Sequence, residues 1–248
     1  VGSFSMNNWD LHFWLRLPSS LVALHWLKAR THRPRNHDEG GQPPRVMDIQ
    51  RVAVIGAGTM GAGIAQVCAQ AGWKTSLYDA FPEGLQRGMQ RIDAFWDKGI
   101  ARGKTTAEQK AVWEKNLYAT SSMEEAVGDA DLVIEAVPEI PDLKQSIFAD
   151  IDRLAPKHAV LGTNTSSLSI ASIATATSRP EQVIGMHFFN PVPIMSLLEL
   201  VQHSTTSQST IEIAKIAGDA MGKTTILVKD VPGFATSRLG VVLGNEAI

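Results

Sequence analysis

The segment from Arg51 to Asp79 constrains the fold more than any other part of the chain. Residues 51–55 are a nearly all-apolar run with three β-branched side chains, typical of a strand buried on both faces of a sheet. A G-x-G-x-x-G pattern follows at residues 56–61, then a helical pattern, and then a second short strand that ends on Asp79. This order predicts a βαβ unit that binds a dinucleotide.

Each residue of the glycine pattern has an expected role. Gly56 allows the tight turn off the strand, Gly58 lets a pyrophosphate approach the backbone, and Gly61 lets the helix pack closely. Thr59 and Met60 lie where that helix starts, and its free N–H groups attract an anion. The alternative is a glycine-rich turn that binds no ligand. The pattern leaves the reaction open, since Rossmann domains serve many chemistries.

Asp79 indicates which dinucleotide is bound. At the end of the second strand, its carboxylate can accept hydrogen bonds from an adenosine ribose. It would repel a 2′-phosphate, and no arginine follows it closely in the sequence. We therefore expect NAD, rather than NADP, as the cofactor.

Composition narrows the class of protein. The chain has 248 residues, 44% of them hydrophobic and 19% charged, with a net charge of −2, so we expect a globular protein that does not attract nucleic acid. No apolar run reaches the roughly 20 residues that cross a membrane. The single cysteine, Cys68, excludes an intrachain disulfide and predicts a buried structural thiol in a reducing, cytoplasmic environment.

The two ends of the chain differ from its centre. Residues 1–47 contain a Leu/Trp-rich stretch, a basic stretch and a Gly/Pro linker, without a signal-peptide pattern. We expect an unassigned, disordered extension with Met47 as a natural start, and the alternative is a basic amphipathic membrane anchor. Because the chain begins with Val1 and an apolar helical pattern runs up to Ile248, we expect both ends to be cut.

Strand and helix patterns alternate along residues 48–231. This alternation predicts an α/β fold, a doubly wound Rossmann-type sheet that is mostly parallel, with ligands at the carboxyl ends of its strands. A new helix begins within residues 232–248. Four polar residues follow predicted strands and are site candidates by position: Glu139, Lys144, Asn164 and Ser166. Lys98 and Arg102 make one helix end basic, which indicates either a solvated terminus or a site for a phosphate-bearing ligand.

His187 and Glu199 are the candidates for proton transfer. Glu199 is the only charge in the apolar run 197–201, and a buried carboxylate needs a partner. His187 lies twelve residues earlier, and such a pair would take the hydroxyl proton when a nicotinamide oxidises an alcohol. The spacing fits a core histidine and an edge glutamate equally well. We expect no metal, because no cluster has ligand spacing, and Ser166 lacks the elbow motif of a hydrolase.

Four motifs carry a resemblance to a known family: residues 54–66, 164–168, 187–193 and 230–234. In these the chain resembles the L-3-hydroxyacyl-CoA dehydrogenase family, which includes bacterial 3-hydroxybutyryl-CoA dehydrogenases. The likeness runs from about residue 48 to residue 248. It implies that NAD accepts a hydride from the C3 hydroxyl of an L-3-hydroxyacyl-CoA.

The resemblance also implies roles for single residues. His187 matches the catalytic base, Glu199 its partner, and Ser166 the serine that hydrogen-bonds the substrate oxygen near the nicotinamide. Cofactor contacts are implied or expected at Asp79, Glu139, Lys144, Asn164 and Asn190. Lys98 and Arg102 fall where the family meets coenzyme A.

The chain departs from the family in two respects. Ser237 stands where the family commonly has an asparagine that helps to polarise the thioester carbonyl. The family also continues into an all-helical domain that closes over the acyl chain and forms the dimer, and only its first helix, residues 232–248, is expected here. The implied partners are an acyl-CoA and, through the missing domain, a second copy in a homodimer.

Two alternative functions stay open. One is a sugar-acid dehydrogenase of the gulonate type, against which the phenylalanine pair at residues 188–189, the segment 190–193 and the basic helix end argue. The other is a nucleotide-binding fragment without activity, because the helical domain is missing.

Overall fold

The structure, a computed structural model, describes residues 49–239 of the chain. The predicted N-terminal extension, with its membrane-anchor alternative, lies outside these residues. So does the predicted helix beyond residue 239.

Eight strands within these residues form one sheet. They are β1 Arg51–Ile55, β2 Lys74–Tyr78, β3 Leu117–Thr120, β4 Leu132–Glu135, β5 Val160–Thr163, β6 Val183–Phe188, β7 Leu197–Gln202 and β8 Thr224–Lys229. Their order across the sheet is β3-β2-β1-β4-β5-β6-β7-β8. Only β7 runs antiparallel to its neighbour β6, and β8 is again parallel to β7. The predicted mostly parallel, doubly wound sheet is confirmed.

Helices connect the strands. They are α1 Thr59–Gln70, α2 Pro82–Ala101, α3 Ala107–Glu114, α4 Met123–Val127, α5 Pro141–Leu154, α6 Ile170–Ala174 and α7 Gln208–Ala220, with a 3₁₀ turn at Pro180–Gln182. The sequence patterns did not indicate α6, whose five residues are too few to show a helical period. Its N-terminus is held instead by Ser169, whose hydroxyl accepts from the N–H of Ser172. Residues 236–239 are helical, where a new helix is predicted to begin.

The central strands of the sheet are buried on both faces. Val52 and Val54 of β1 belong to one core, with residues of α1, α2 and α7, whereas Ala53 and Ile55 belong to a second core with residues of α4, α5 and α6. Alternate side chains of a strand point to opposite faces, so both faces need apolar residues, and β1 is apolar at every position after the exposed Arg51.

Cys68 lies in the first of these cores. It is fully buried, with its Sγ 3.7 Å from the Sδ of Met221. Burial raises the pKa of its thiol above the ordinary value. The expectation of a buried thiol is confirmed, and a raised pKa keeps the sulfur in the unreactive form.

The order of the strands locates a binding crevice. Successive connections run in opposite directions on either side of β1, so β1 and β4 flank the switch point at which open α/β sheets bind ligands. None of the helices within residues 49–239 is long and apolar enough to cross a membrane. In the same residues, no three histidine, cysteine or acidic side chains are grouped as a metal ion would require.

Candidate active site

The glycine turn, residues 56–61, lies at the switch point and has the geometry that its sequence predicts. Gly56 has a φ of +101°, in the left-handed region that side chains rarely adopt. A Cβ on Gly61 would lie 1.7 Å from the carbonyl oxygen of Gly56, so only glycine lets α1 pack against the turn. Gly58 is the N-cap residue of α1, and no side chain caps the helix, which leaves its first N–H groups for a ligand.

A cavity of about 670 Å³ opens beside this turn. It is lined from the ends of four strands: by the glycine turn after β1, by residues 78–81 after β2, by residues 136–139 after β4, and by Asn164, Ser166 and Ser167 after β5. Seven of the predicted cofactor residues or turn residues face it: Gly56, Gly58, Thr59, Met60, Asp79, Glu139 and Asn164. The structure thus brings together groups that are separated by more than a hundred residues in the sequence.

The Asp79 carboxylate is fixed at the rim of this cavity. Its Oδ2 accepts from the N–H of Ala57 at 2.8 Å, and its Oδ1 accepts from the N–H of Phe81 at 3.0 Å. A carboxylate oxygen can accept more than one hydrogen bond, so both oxygens keep capacity for ribose hydroxyls. The acid therefore organises the glycine turn as well as facing the cavity.

Glu139 joins two loops of the cavity wall. One of its carboxylate oxygens accepts from the N–H groups of Ser166 at 2.9 Å and Ser167 at 3.2 Å, and from the hydroxyl of Thr165. Burial alone would raise the pKa of Glu139, but these donors and the charge of Lys144 outweigh it, so the pKa lies below its ordinary value. The ionised Glu139 holds the loop that carries Ser166.

Lys144 supports the cavity from behind and does not line it. It is fully buried, and its Nζ donates to both carboxylate oxygens of Glu135, at 2.7 and 2.9 Å. The same Nζ lies 3.3 Å from the carbonyl oxygen of Val137 and 3.5 Å from that of Asn164. A contact between Lys144 and the cofactor stays a prediction.

Glu135 is a residue of the site that the sequence reasoning missed. It also accepts from the N–H of Val137 and from the hydroxyl of Thr163, both at 2.6 Å, so it ties together the ends of β4, β5 and α5. Burial raises the pKa of Glu135, and the ammonium of Lys144 opposes that rise. A single acid within an apolar strand was the available signal, and the same signal indicated Glu199.

The predicted pair of His187 and Glu199 is formed across neighbouring strands. The two residues are register partners in the antiparallel β6–β7 pair, and Nδ1 of the imidazole lies 2.7 Å from Oε2 of the carboxylate. Glu199 is fully buried and His187 is 6% exposed. The rings of Phe189 and Phe234 lie 4.5 and 5.8 Å from the imidazole ring. With Nδ1 engaged, Nε2 is the nitrogen left to exchange a proton.

Asn164 connects this pair to the cavity. It lines the cavity, and its side-chain oxygen accepts from the N–H of Phe188 at 3.0 Å, one residue after His187. The ends of β5 and β6 are therefore held in register at the point where Ser166 and the imidazole lie. Glu199 has further donors at Ala235 and Thr236, and the sequence reasoning missed Thr236 as well.

The other predicted residues lie around a second cavity of about 260 Å³, or beyond it. Lys98, Asn190 and Thr59 line this cavity, which is formed by α1, α2 and the segment 190–193. Arg102 is the exposed C-cap residue of α2 and lines neither cavity. Ser237 is half-buried in the helical residues 236–239.

Lys223 holds the segment that carries Asn190. Its Nζ donates to the carbonyl oxygen of Val192, and to that of Met195 at 2.9 Å. Burial lowers the pKa of Lys223 below its ordinary value. The carbonyl partners compensate for that burial, so the ammonium fixes the segment between β6 and β7.

A dinucleotide fits the first cavity. The N-terminus of α1 is uncapped, a Cβ on Gly58 would meet no atom within 4 Å, and the Asp79 carboxylate stands at the far rim. These are the groups that a pyrophosphate and a ribose require. Together with the histidine–glutamate pair beside the cavity, they place the chain among the Rossmann-type oxidoreductases that use a nicotinamide cofactor.

Within that class, the chain belongs to the 3-hydroxyacyl-CoA dehydrogenase family. A family model described as "3-hydroxyacyl-CoA dehydrogenase, NAD binding domain" matches residues 51–231. The resemblance inferred from the motifs is confirmed, and so is NAD as the cofactor. The chain is an oxidoreductase by this membership.

Individual relatives agree with this family. A probable 3-hydroxybutyryl-CoA dehydrogenase of Bacillus subtilis is 41% identical over 202 residues, which are 82% of this chain and 70% of the relative. The human mitochondrial hydroxyacyl-coenzyme A dehydrogenase is 40% identical over 206 residues, 81% of this chain and 65% of that protein. The crystal structure of (S)-3-hydroxybutyryl-CoA dehydrogenase from Ralstonia eutropha has a TM-score of 0.78 at 38% identity, and the match covers 81% of this chain and 70% of that one.

Proposed function

We propose that this protein oxidises the C3 hydroxyl of an L-3-hydroxyacyl-CoA with NAD, and that His187 is the general base. Family membership supports the reaction, and the hydrogen bond between His187 and Glu199 is the observation that carries the assignment of the base. The product would be the corresponding 3-oxoacyl-CoA.

The residues around the first cavity would hold the cofactor. The glycine turn and the first turn of α1 would bind the pyrophosphate, and Asp79 would accept from the adenosine ribose. Glu139 and Asn164 would contact the nicotinamide half, with Lys144 beneath them, and Asn190 would reach it from the side of the second cavity. When bound, the nicotinamide supplies the acceptor for the hydride that leaves C3.

The chain itself would handle the proton. With Nδ1–H donated to Glu199, the lone pair on Nε2 takes the proton of the C3 hydroxyl as the hydride leaves. Glu199 stabilises the imidazolium that forms, because the pair is buried and water does not screen it. Ser166, on the loop held by Glu139, would donate a hydrogen bond to the substrate oxygen.

The substrate would lie on the side of the second cavity. Lys98 and Arg102 supply positive charge for the phosphates of coenzyme A. Ser237 would donate one hydrogen bond to the thioester carbonyl, in place of the longer amide found in the family. The domain limits, the all-helical domain, the homodimer and the cytoplasmic location stay predictions.

An absorbance assay of cofactor reduction tests this proposal. We expect reduced cofactor to form from NAD and L-3-hydroxybutyryl-CoA, and none from NAD and gulonate. His187→Gln should remove turnover and leave the Kd for NAD within about twofold, since His187 does not line the first cavity. Turnover of gulonate, or normal turnover by the variant, would contradict the reaction or the base. Binding of NAD without turnover by the wild-type chain would mean that these residues alone do not form the active enzyme.

A further inference from the structure

Glu199 accepts hydrogen bonds from three groups besides His187, and all three belong to the segment that follows β8. The N–H groups of Ala235 and Thr236 donate to Oε1 at 3.2 and 2.9 Å. The hydroxyl of Thr236 donates to Oε2 at 3.1 Å. Since Glu199 is fully buried, these donors replace the water that it lost on folding. The Glu199 carboxylate therefore holds Thr236, the first of the helical residues 236–239.

The hydroxyl of Thr236 shares Oε2 with the imidazole. That oxygen lies 2.7 Å from Nδ1 of His187 and 3.1 Å from Oγ1 of Thr236. A donor to an ionised carboxylate stabilises its negative charge, so each added donor weakens the attraction of the carboxylate for a neighbouring imidazolium. The backbone donors would be present with any residue at this position, whereas the second donor to Oε2 comes only from this side chain.

The chain leading to Thr236 is folded closely over the imidazole. Gly233 and Phe234 have φ values of +75° and +46°, both in the left-handed region, which is costly for a phenylalanine. The turn places the ring of Phe234 edge-on to the imidazole, while Phe189 packs against it from the segment after β6. Within residues 49–239, the hydrogen-bond and ring contacts of the His187 side chain come from Glu199, Phe189 and Phe234, and Glu199 from β7 is the titratable partner.

We propose that Thr236 is a positioning residue for the His187–Glu199 pair, and that its hydroxyl sets the pH range in which His187 can act as a base. This inference rests on the proposed function, in which His187 takes the proton. It means that the start of the helical residues 236–239 influences the proton affinity of His187. A shift of that helix would alter the donors to Glu199 directly, because Ala235 and Thr236 both bond to it.

Thr236→Val tests the hydroxyl, because valine keeps the shape and the backbone N–H but cannot donate. Without the donor the carboxylate holds the imidazolium more strongly, so His187 stays protonated to a higher pH. We expect the acid limb of kcat/KM to move up by about 0.5 to 1 pH unit, a loss of about three- to tenfold at a pH below the limb. Thr236→Ser keeps a hydroxyl and should follow the wild-type profile.

A second measurement does not depend on turnover. The Cε1–H resonance of His187, assigned among the seven histidines with a His187→Asn variant, should titrate at a higher pH in Thr236→Val than in wild type. Thr236→Ala gives the same comparison if valine disturbs the fold. An unchanged or lower titration midpoint would overturn the inference. If the wild-type chain does not oxidise L-3-hydroxybutyryl-CoA but the midpoint still moves, the proposed function fails, while the effect of the Thr236 hydroxyl on the His187–Glu199 pair stands.

Discussion

His187 and Glu199 face each other as register partners on β6 and β7, and Nδ1 of the histidine lies 2.7 Å from Oε2 of the glutamate. Glu199→Gln keeps an acceptor for Nδ1–H but removes the charge that stabilises the imidazolium. We expect kcat with L-3-hydroxybutyryl-CoA to fall by about 10²- to 10⁴-fold. The Kd for NAD, measured by calorimetry, should stay within about twofold, because Glu199 does not line the nucleotide cavity. A kcat within threefold of wild type would contradict a charged partner for the base.

Gly58 and Gly61 differ in the space around them. An alanine variant at each position therefore separates an effect on folding from an effect on NAD binding. A Cβ on Gly61 would overlap the Gly56 carbonyl, whereas Gly58 has a φ of −64° and open space around it. Gly61→Ala should lose about 3 kcal/mol or more of unfolding free energy in a urea titration. Gly58→Ala should stay within about 1 kcal/mol of wild type yet bind NAD about tenfold or more weakly, since its methyl group occupies the place of the pyrophosphate. Equal stability of the two variants would contradict this division.

Lys144 and Glu135 form a buried ion pair, so removal of one partner should cost more than removal of both charges. Lys144→Met leaves the Glu135 carboxylate buried without its cation, and we expect a loss of about 3 to 5 kcal/mol in the free energy of unfolding. Adding Glu135→Gln should recover part of that loss, because a neutral amide costs less to bury.

A matched surface pair serves as the control for that measurement. Arg153 and Asp150 lie 3.0 Å apart on α5 and are exposed, so Arg153→Ala should change the unfolding free energy by about 0.5 kcal/mol or less. If Lys144→Met costs no more than this control, the buried pair does not hold the strand ends together.

Glu139 should contribute to stability in a pH-dependent way. Its pKa in the folded protein lies below the ordinary value, because hydrogen bonds from Thr165, Ser166 and Ser167 outweigh burial. Its contribution to the free energy of unfolding is therefore complete above the unfolded-state pKa of about 4.3. That contribution is lost as the pH falls through the lower pKa of the folded state.

The comparison with Glu139→Gln isolates this effect. We expect wild type to exceed the variant in unfolding free energy at pH 7, and the difference to shrink between about pH 5 and pH 3. The difference should be small, since the side chain is 37% exposed and solvent screens its charge. A difference that grows on acidification would contradict the assigned direction of the pKa shift.

Most of the fold could be predicted because its signals are local. The apolar run of β1, the glycine turn and the acid at the end of β2 lie within one stretch of sequence, and each limits the backbone by itself. The short helix α6 was missed because five residues are too few to show a helical period, and because part of its start is held from a distance, by Asp230, whose carboxylate accepts from the N–H of Ala171 at 2.8 Å. A contact between residues 59 apart has no local pattern.

The candidate site was likewise predictable only in part. The residue types of the base and its partner could be inferred, because a lone acid in an apolar strand requires a partner. Their hydrogen bond depends on the register of β6 with β7, which the spacing of twelve residues did not decide. The ion pair of Glu135 with Lys144 was missed because it joins the end of β4 to the start of α5, and that contact depends on how the helix packs against the sheet.

The sequence by itself determined the nucleotide-binding unit, because positive φ at Gly56 and the absence of a side chain at Gly58 and Gly61 are properties of single residues. The tertiary structure alone decided which groups surround the buried carboxylates. Glu199 forms hydrogen bonds with His187, twelve residues before it in the sequence, and with Thr236, 37 residues after it. Such partners are selected by the need of a buried charge for donors, and only the packed sheet shows which donors are within reach.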